Sequence, residues 1–260
     1  MDQLRQLFLF LLILHLSVSG INSTTFTIEN RCDFTVWPVI SNMPLRLSIA
    51  LQKGESMSIQ LPRVEKARFW GRTGCSDNST GSFSCATGDC GTGTIECGGG
   101  SGGTAPVTLV EFSLAGPGGL DFFDVSLVDG YNLPLTVVPS TNCTTTGCVV
   151  DVNNACPPEL VVKSVDGVVV GCNSACTVFN SPQYCCTGNY ATPTSCGPTS
   201  YSQIFKIACP RAYSYAYDDK TSTLTCSSAD YNITFCPTPI ASTQPFQSGF
   251  SLLTNSILVQ

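Results

Sequence analysis

The chain has 260 residues, of which 12% are charged, and its formal net charge is −6. So acidic and charge-poor a composition lacks the basic patch that nucleic acid or an anionic membrane surface requires. The length suits one large β domain or two smaller units.

The chain opens with a single cation, Arg5, then an unbroken apolar run from Leu7 to Leu14 and small residues at Ser17, Ser19, Gly20 and Ser23. That order predicts a signal peptide over 1–23, cleaved between Ser19 and Ser23 and preferably after Ser23, too short to span a membrane. Its removal takes away His15, the only histidine. A mature chain without imidazole excludes Ser-His-Asp and Cys-His catalysis and histidine-ligated zinc. Acid–base work then falls to carboxylates, tyrosines or lysines.

From Thr25 the pattern is short and extended. TFTIEN alternates Phe26 and Ile28 with Thr25 and Thr27, and FTVWPVI, RLSIALQ and SMSIQL read as further β runs. APVTLVEFSL (105–114) and DFFDVSLVDG (121–130) follow, separated by the turn GPGG. Strands at this spacing, without long helical periods between them, predict an all-β sandwich or barrel. Residues 74–103 change character: rich in Gly, Ser, Thr and Cys, they cannot build a core. From Cys143 to Cys209 lie nine of the sixteen cysteines. There Tyr201, Ile204, Phe205 and Ala208 recur at i, i+3, i+4 and i+7, which predicts a short amphipathic helix capped by Thr199 or Ser200. NSACTVF reads as another. The β pattern returns at STLTC and NITFC. Residues 237–260 carry no charge and no cysteine, and Pro237, Pro239 and Pro245 discourage regular structure, so they read as a flexible or processed tail.

The stretch GSFSCATGDCGTGTIEC (81–97) has three cysteines and no histidine. It lacks the close CxxC pair of a metal site and the lysine of a phosphate loop. A loop stapled by bridges remains, its glycines permitting tight turns. Sixteen cysteines in a chain bound for an oxidising compartment predict eight disulfides, but spacing alone leaves about two million pairings open. Cys185 and Cys186 are adjacent, so each takes a separate partner. Sequons at Asn78, Asn142 and Asn232 are candidate glycosylation sites; Asn142 is the doubtful one, because its middle residue, Cys143, is expected in a bridge.

Gly81, Phe83, Cys85, Thr87-Gly88-Asp89-Cys90, Gly93 and Cys97, within sixteen cysteines, resemble the signature of the thaumatin-like proteins, including their plant pathogenesis-related, osmotin-like members. TFTIENRCDFTVWP, FWGRTGC, VEFSL, DVSLVDGYNLP, CNSACTVF, YCC, CGPTSYSQIFK and CPRAYSYAYDD are similar to successive family segments. The resemblance implies a mainly β protein: a flattened β-sandwich (about 24–72, 104–149 and 210–236), a stapled loop region (73–103) and a disulfide-rich lobe with short helices (150–209). It implies the bridges Cys32–Cys236, Cys75–Cys85, Cys90–Cys97, Cys143–Cys226, Cys148–Cys209, Cys156–Cys172, Cys176–Cys185 and Cys186–Cys196.

It further implies an acidic cleft formed by Arg68, Glu111, Asp124, Asp129 and Asp218. Family members bind β-1,3-glucan of fungal walls there, and some cleave it. The expected function is therefore a secreted, antifungal plant defence protein that binds fungal cell-wall polysaccharide. The alternatives are a weak endo-β-1,3-glucanase, with Glu111 and Asp124 as catalytic carboxyls, and a protein inhibitor of fungal or insect hydrolases. No cofactor, metal, nucleic-acid partner or stable membrane insertion is expected, and the protein is expected to be a monomer in the apoplast, or in the vacuole if the tail directs it there. One difficulty is geometric: Asp124 and Asp129 are five residues apart and would point to opposite faces of a regular strand. A second is electrostatic: Arg68 is expected to keep nearby carboxylates ionised, favouring sugar binding over acid catalysis. Phe123 and Tyr131 are either sugar-stacking or core residues, Asp89 reads as a loop hydrogen-bonder, and Arg72 as a structural cation.

Overall fold

The computed structural model describes residues 23–41, 49–63, 66–97 and 102–238. The signal-peptide expectation for 1–22, the tail from 239, the start of RLSIALQ and most of GGGSGG lie outside the described residues.

Two sheets pack face to face. The first has the order β3 (Ser56–Pro62), β1 (Ser23–Asn30), β13 (Tyr231–Phe235), β8 (Leu135–Pro139) and β9 (Thr146–Cys148). Within it β1 and β13 run parallel, with Phe26 opposite Tyr231 and Asn30 opposite Phe235, and Cys32–Cys236 ties off the end of that pair. The second has the order β12 (Leu224–Ser227), β7 (Leu120–Ser126), β6 (Leu109–Ser113), β4 (Lys66–Asp77) and β2 (Trp37–Ile40), and β5 (Phe83–Thr87) pairs with the far end of β4. The run at 49–52 is not a strand; Leu51 makes one isolated bridge to Val36.

Period-2 alternation decides which side chains meet between the sheets. Phe26 and Ile28 from β1, Ala67 and Phe69 from β4, Phe112 from β6, Phe123 from β7 and Tyr231 from β13 are all buried. Phe26, Phe112 and Tyr231 form the centre, with ring centroids 4.7–5.6 Å apart. Asp121 is buried at one edge, held by Arg63 (2.8 Å) and by the Tyr231 hydroxyl (3.0 Å), so its charge is paired rather than stranded. Phe123 and Tyr131 are thus core residues and offer no sugar-stacking face.

The stapled region does have some apolar support. Trp70, Val39, Val107 and Leu109 form a small second cluster against Cys90 and Cys97, and the Trp70 indole donates to the Gly88 carbonyl at 2.9 Å. Asp89 accepts from the Cys85 and Gly91 amides, fixing the loop. Arg72 is buried over the Phe83 ring and donates to the Ile95 carbonyl at 2.8 Å.

The lobe holds a hairpin, β10 (Val161–Lys163) with β11 (Val169–Cys172), and the helices α1 (Ala175–Phe179), α2 (Pro182–Cys185) and α3 (Ser200–Ala208). Thr199 caps α3 in a capping box with Ser202, and Phe205 on its inner face joins the main core. A last short helix, α4 (Asp219–Ser222), precedes β12. All sixteen cysteines are bridged, as Cys32–Cys236, Cys75–Cys85, Cys90–Cys97, Cys143–Cys226, Cys148–Cys209, Cys156–Cys172, Cys176–Cys185 and Cys186–Cys196. Each contributes about 2–4 kcal/mol by restricting the unfolded chain.

Candidate functional site

The core-facing residues of β4, β6 and β7 alternate with residues that point away from the sandwich. Pairing register places Arg68 opposite Glu111, and Glu111 opposite Asp124, so the three form one row across adjacent strands on the outer face. Directly opposed residues on one face lie about 4.5–5.5 Å apart at Cβ, close enough to interact strongly. The Arg68 Nε donates to Glu111 Oε1 at 2.6 Å.

Asp129 joins this row because the strand stops. β7 ends at Ser126, and residues 127–130 form a turn closed by the Gly130 amide on the Leu127 carbonyl (3.0 Å). Gly130 has φ +90°, and a Cβ there would stand 2.5 Å from the Cys172 carbonyl oxygen, so the turn needs glycine. The five-residue spacing that a straight strand would split across two faces is brought back to one side.

The fifth expected residue is different. Asp218 does not line the cleft. Its carboxylate is drawn into the lobe, where it ion-pairs with Lys206 (2.8 Å) and accepts from the Ser214 amide and hydroxyl (3.0 Å each). The next residue, Asp219, begins α4 and faces the cleft instead. The Tyr213 hydroxyl donates to Asp219 Oδ1 (2.9 Å) and also contacts the Thr223 hydroxyl. Tyr213 itself is clamped to the end of β7 by the Leu127 amide on its carbonyl and its own amide on the Val125 carbonyl, both 2.8 Å. Asp219 and Tyr213 were not singled out from the sequence; the Asp218-Asp219 doublet marked the place without choosing between its members.

Arg68, Glu111, Asp124, Asp129, Tyr213 and Asp219 line one open cleft of about 350 Å³. It continues along the same sheet face past Ser113 and Phe122. Burial pushes the Asp124 carboxyl up to about 8; Glu111 and Asp219 add to the rise, and Arg68 opposes it. Asp124 Oδ1 is buried without a hydrogen-bond partner, in keeping with a neutral group. Burial also raises Asp129, again against Arg68, and raises the Tyr213 hydroxyl above its ordinary range. The expectation that Arg68 keeps its neighbours ionised therefore fails at Asp124, where desolvation outweighs the cation one strand away. The row holds two unlike carboxyls, one salt-bridged to Arg68 and one that burial favours in its neutral form. Among the described residues no group of His, Cys, Asp and Glu side chains is arranged to hold a metal ion, and no helix is long and apolar enough to cross a membrane.

Residues 30–237 match the model of the Thaumatin family. A pathogenesis-related thaumatin-like protein 3.5 of Cryptomeria japonica is 49% identical over 223 residues, covering 83% of this chain and 90% of that protein. A protein of Prunus avium named glucan endo-1,3-beta-glucosidase is 47% identical over 231 residues, covering 85% and 94%. A PR5-like receptor kinase of Arabidopsis thaliana is 50% identical over 247 residues; the match covers 90% of this chain and only 37% of that longer protein. With a family match over most of its length, eight bridges and a two-sheet β fold, the chain belongs to the thaumatin family.

Proposed function

We propose that this protein is a secreted plant defence protein of antifungal action that holds β-1,3-glucan in the acidic cleft. The observation that carries the reading is the Arg68–Glu111–Asp124 row on a rigid sheet, with Asp129, Tyr213 and Asp219 closing the same cleft. A neutral glucan offers hydroxyl groups. Carboxylates accept from them, the guanidinium donates, and such charge-assisted bonds are the stronger kind. The cleft's extension past Phe122 gives a chain of several sugars room to lie along the strands. Pathogenesis-related and glucanase-named proteins among the relatives support a wall polysaccharide as the ligand class.

One observation favours weak hydrolysis at the same place. Glycoside cleavage needs a protonated carboxyl beside an ionised one. Asp124, at about 8, is suited to be the acid, and Glu111 the second carboxylate. The ion pair with Arg68 blunts Glu111 as a nucleophile, so turnover is slow if it occurs.

The test is to incubate the protein with insoluble and soluble β-1,3-glucan and follow retention and new reducing ends together. Retention without new ends supports binding alone; both together support the glucanase. Glu111→Gln and Asp124→Asn should weaken retention at least several-fold, and unchanged behaviour of both variants would remove the cleft from the account. Suppression of a fungal hydrolase without glucan retention would point to the inhibitor reading instead.

A further inference from the structure

The five-stranded sheet turns its own outer face to solvent, on the opposite side of the sandwich from the acidic cleft. A shallow groove of about 690 Å³ runs over it. Strand pairing sets Asn232 and Val138, on β13 and β8, side by side in the groove and continues their row beyond it to Thr27 and Ser58 on β1 and β3. The neighbours of Asn232 are small: the Thr27 and Ser58 hydroxyls bond each other at 3.0 Å, and Val138 is 41% exposed. Val149 adds a second exposed methyl cluster, 42% exposed, while Arg31 and Arg211 stand at the rim. Asn232 is therefore an exposed carboxamide in the middle of a shelf of hydroxyls and methyls.

Asn232-Ile233-Thr234 is also an acceptor sequon. We propose that Asn232 carries an N-linked oligosaccharide whose first sugars are seated in this groove. In the transfer, Asn232 Nδ2 attacks the anomeric carbon of an oligosaccharide carried on a lipid diphosphate. The new C–N bond forms as the C–O bond to the diphosphate breaks; the lipid diphosphate leaves with the electron pair, and an amide proton passes to base. Thr234 ends 8% exposed, so transfer precedes folding, while the chain is extended and its hydroxyl is reachable. Folding then buries Thr234 and leaves Asn232 open. The C–H face of the first sugar covers Val138, and its acetamide and hydroxyls meet Thr136 in the groove and Thr27, the strand partner of Asn232, beside it.

The other sequons offer no such seat. Asn78 Oδ1 already accepts from the Thr80 amide (3.0 Å), the Thr80 hydroxyl (2.7 Å) and the Ser82 amide (2.8 Å) at a hairpin tip. Asn142 is followed by Cys143, bridged to Cys226.

The test uses the full chain purified from plant cells. Glycosidase removal in heavy-oxygen water converts a glycosylated asparagine into labelled aspartate, which peptide mass spectrometry reads directly. Asn232 should be labelled, and Asn232→Gln should lose the mass of one glycan. A hydrophobic dye should bind the fully deglycosylated protein several-fold better than protein trimmed to its first sugar. Unlabelled Asn232 overturns the modification, and equal dye binding overturns the seat. Glucan retention by Asn232→Gln reports on the cleft separately, because the two faces are opposite; it should match the unaltered protein.

Discussion

Glu111 and Asp124 stand directly opposite each other on β6 and β7, yet their carboxyls live in different electrostatic worlds: one is clasped by Arg68 at 2.6 Å, and the other is buried with one oxygen unpartnered. The asymmetry comes from a gradient across three strands, with the cation on β4 and desolvation deepest at β7.

That gradient sets how Asp124 titrates. Arg68→Ala removes a charge that lowers the Asp124 pKa, so its midpoint should move above about 8. Glu111→Gln removes a charge that raises it, so the midpoint should fall. Carbon NMR of the aspartate carboxyls against pH reads both shifts, and movement in the same direction would contradict the row.

The same group makes stability depend on pH. Asp124 goes from a reference value of 3.8 in the unfolded chain to about 8 in the fold, so between these values the native state holds a proton that the unfolded state has lost. Its contribution to stability is fully present below about pH 4 and is lost as pH rises through about 8. Asp124→Asn should leave stability near pH 4 almost unchanged and raise it at pH 9 by a few kcal/mol. Denaturant midpoints at the two pH values check this.

Asp218 and Asp219 should separate stability from ligand retention. Asp218→Asn weakens the pair with Lys206 and the bonds to Ser214, and should cost about 1–3 kcal/mol. Asp219→Asn touches the cleft and the Tyr213 hydroxyl, and should weaken glucan retention by roughly three- to tenfold, the reach of one or two hydrogen bonds, with little loss of stability. The opposite pattern would restore Asp218 to the cleft.

Gly130→Ala should cost about 1–3 kcal/mol, from a strained positive φ and a Cβ forced against the Cys172 carbonyl. Because the turn also aims Asp129, glucan retention should fall in the folded variant. Thermal melts and the retention assay measure the two effects side by side.

Much of the fold could be read in the sequence because alternation is a strong signal where one face is buried. Phe26 and Ile28, and Phe123 and Val125, fall inward as their spacing requires. Strand β4 was harder to see: its centre, Phe69 to Thr73, is continuously buried and contains Gly71 and Arg72, so it shows no alternation and carries residues that read as loop. All five expected cleft residues came from family resemblance, and four of them line the cleft. Asp218 does not, because two adjacent acids at a helix start differ only in direction, which the lobe's Lys206 decides. Nor could the sequence show how strongly burial raises Asp124, because that depends on the packing of three strands and the neighbouring α4.

The thirteenth strand lies at the middle of its sheet, between β1 and β8. During synthesis, therefore, the amino-terminal strand waits for a neighbour made some two hundred residues later. No ordered sandwich can assemble on the ribosome until Phe235 has emerged, and the half-built sheet keeps two unsatisfied strand edges in the meantime. Closure of this sheet is thus a late, long-range event set by the connectivity, whatever the cleft finally holds.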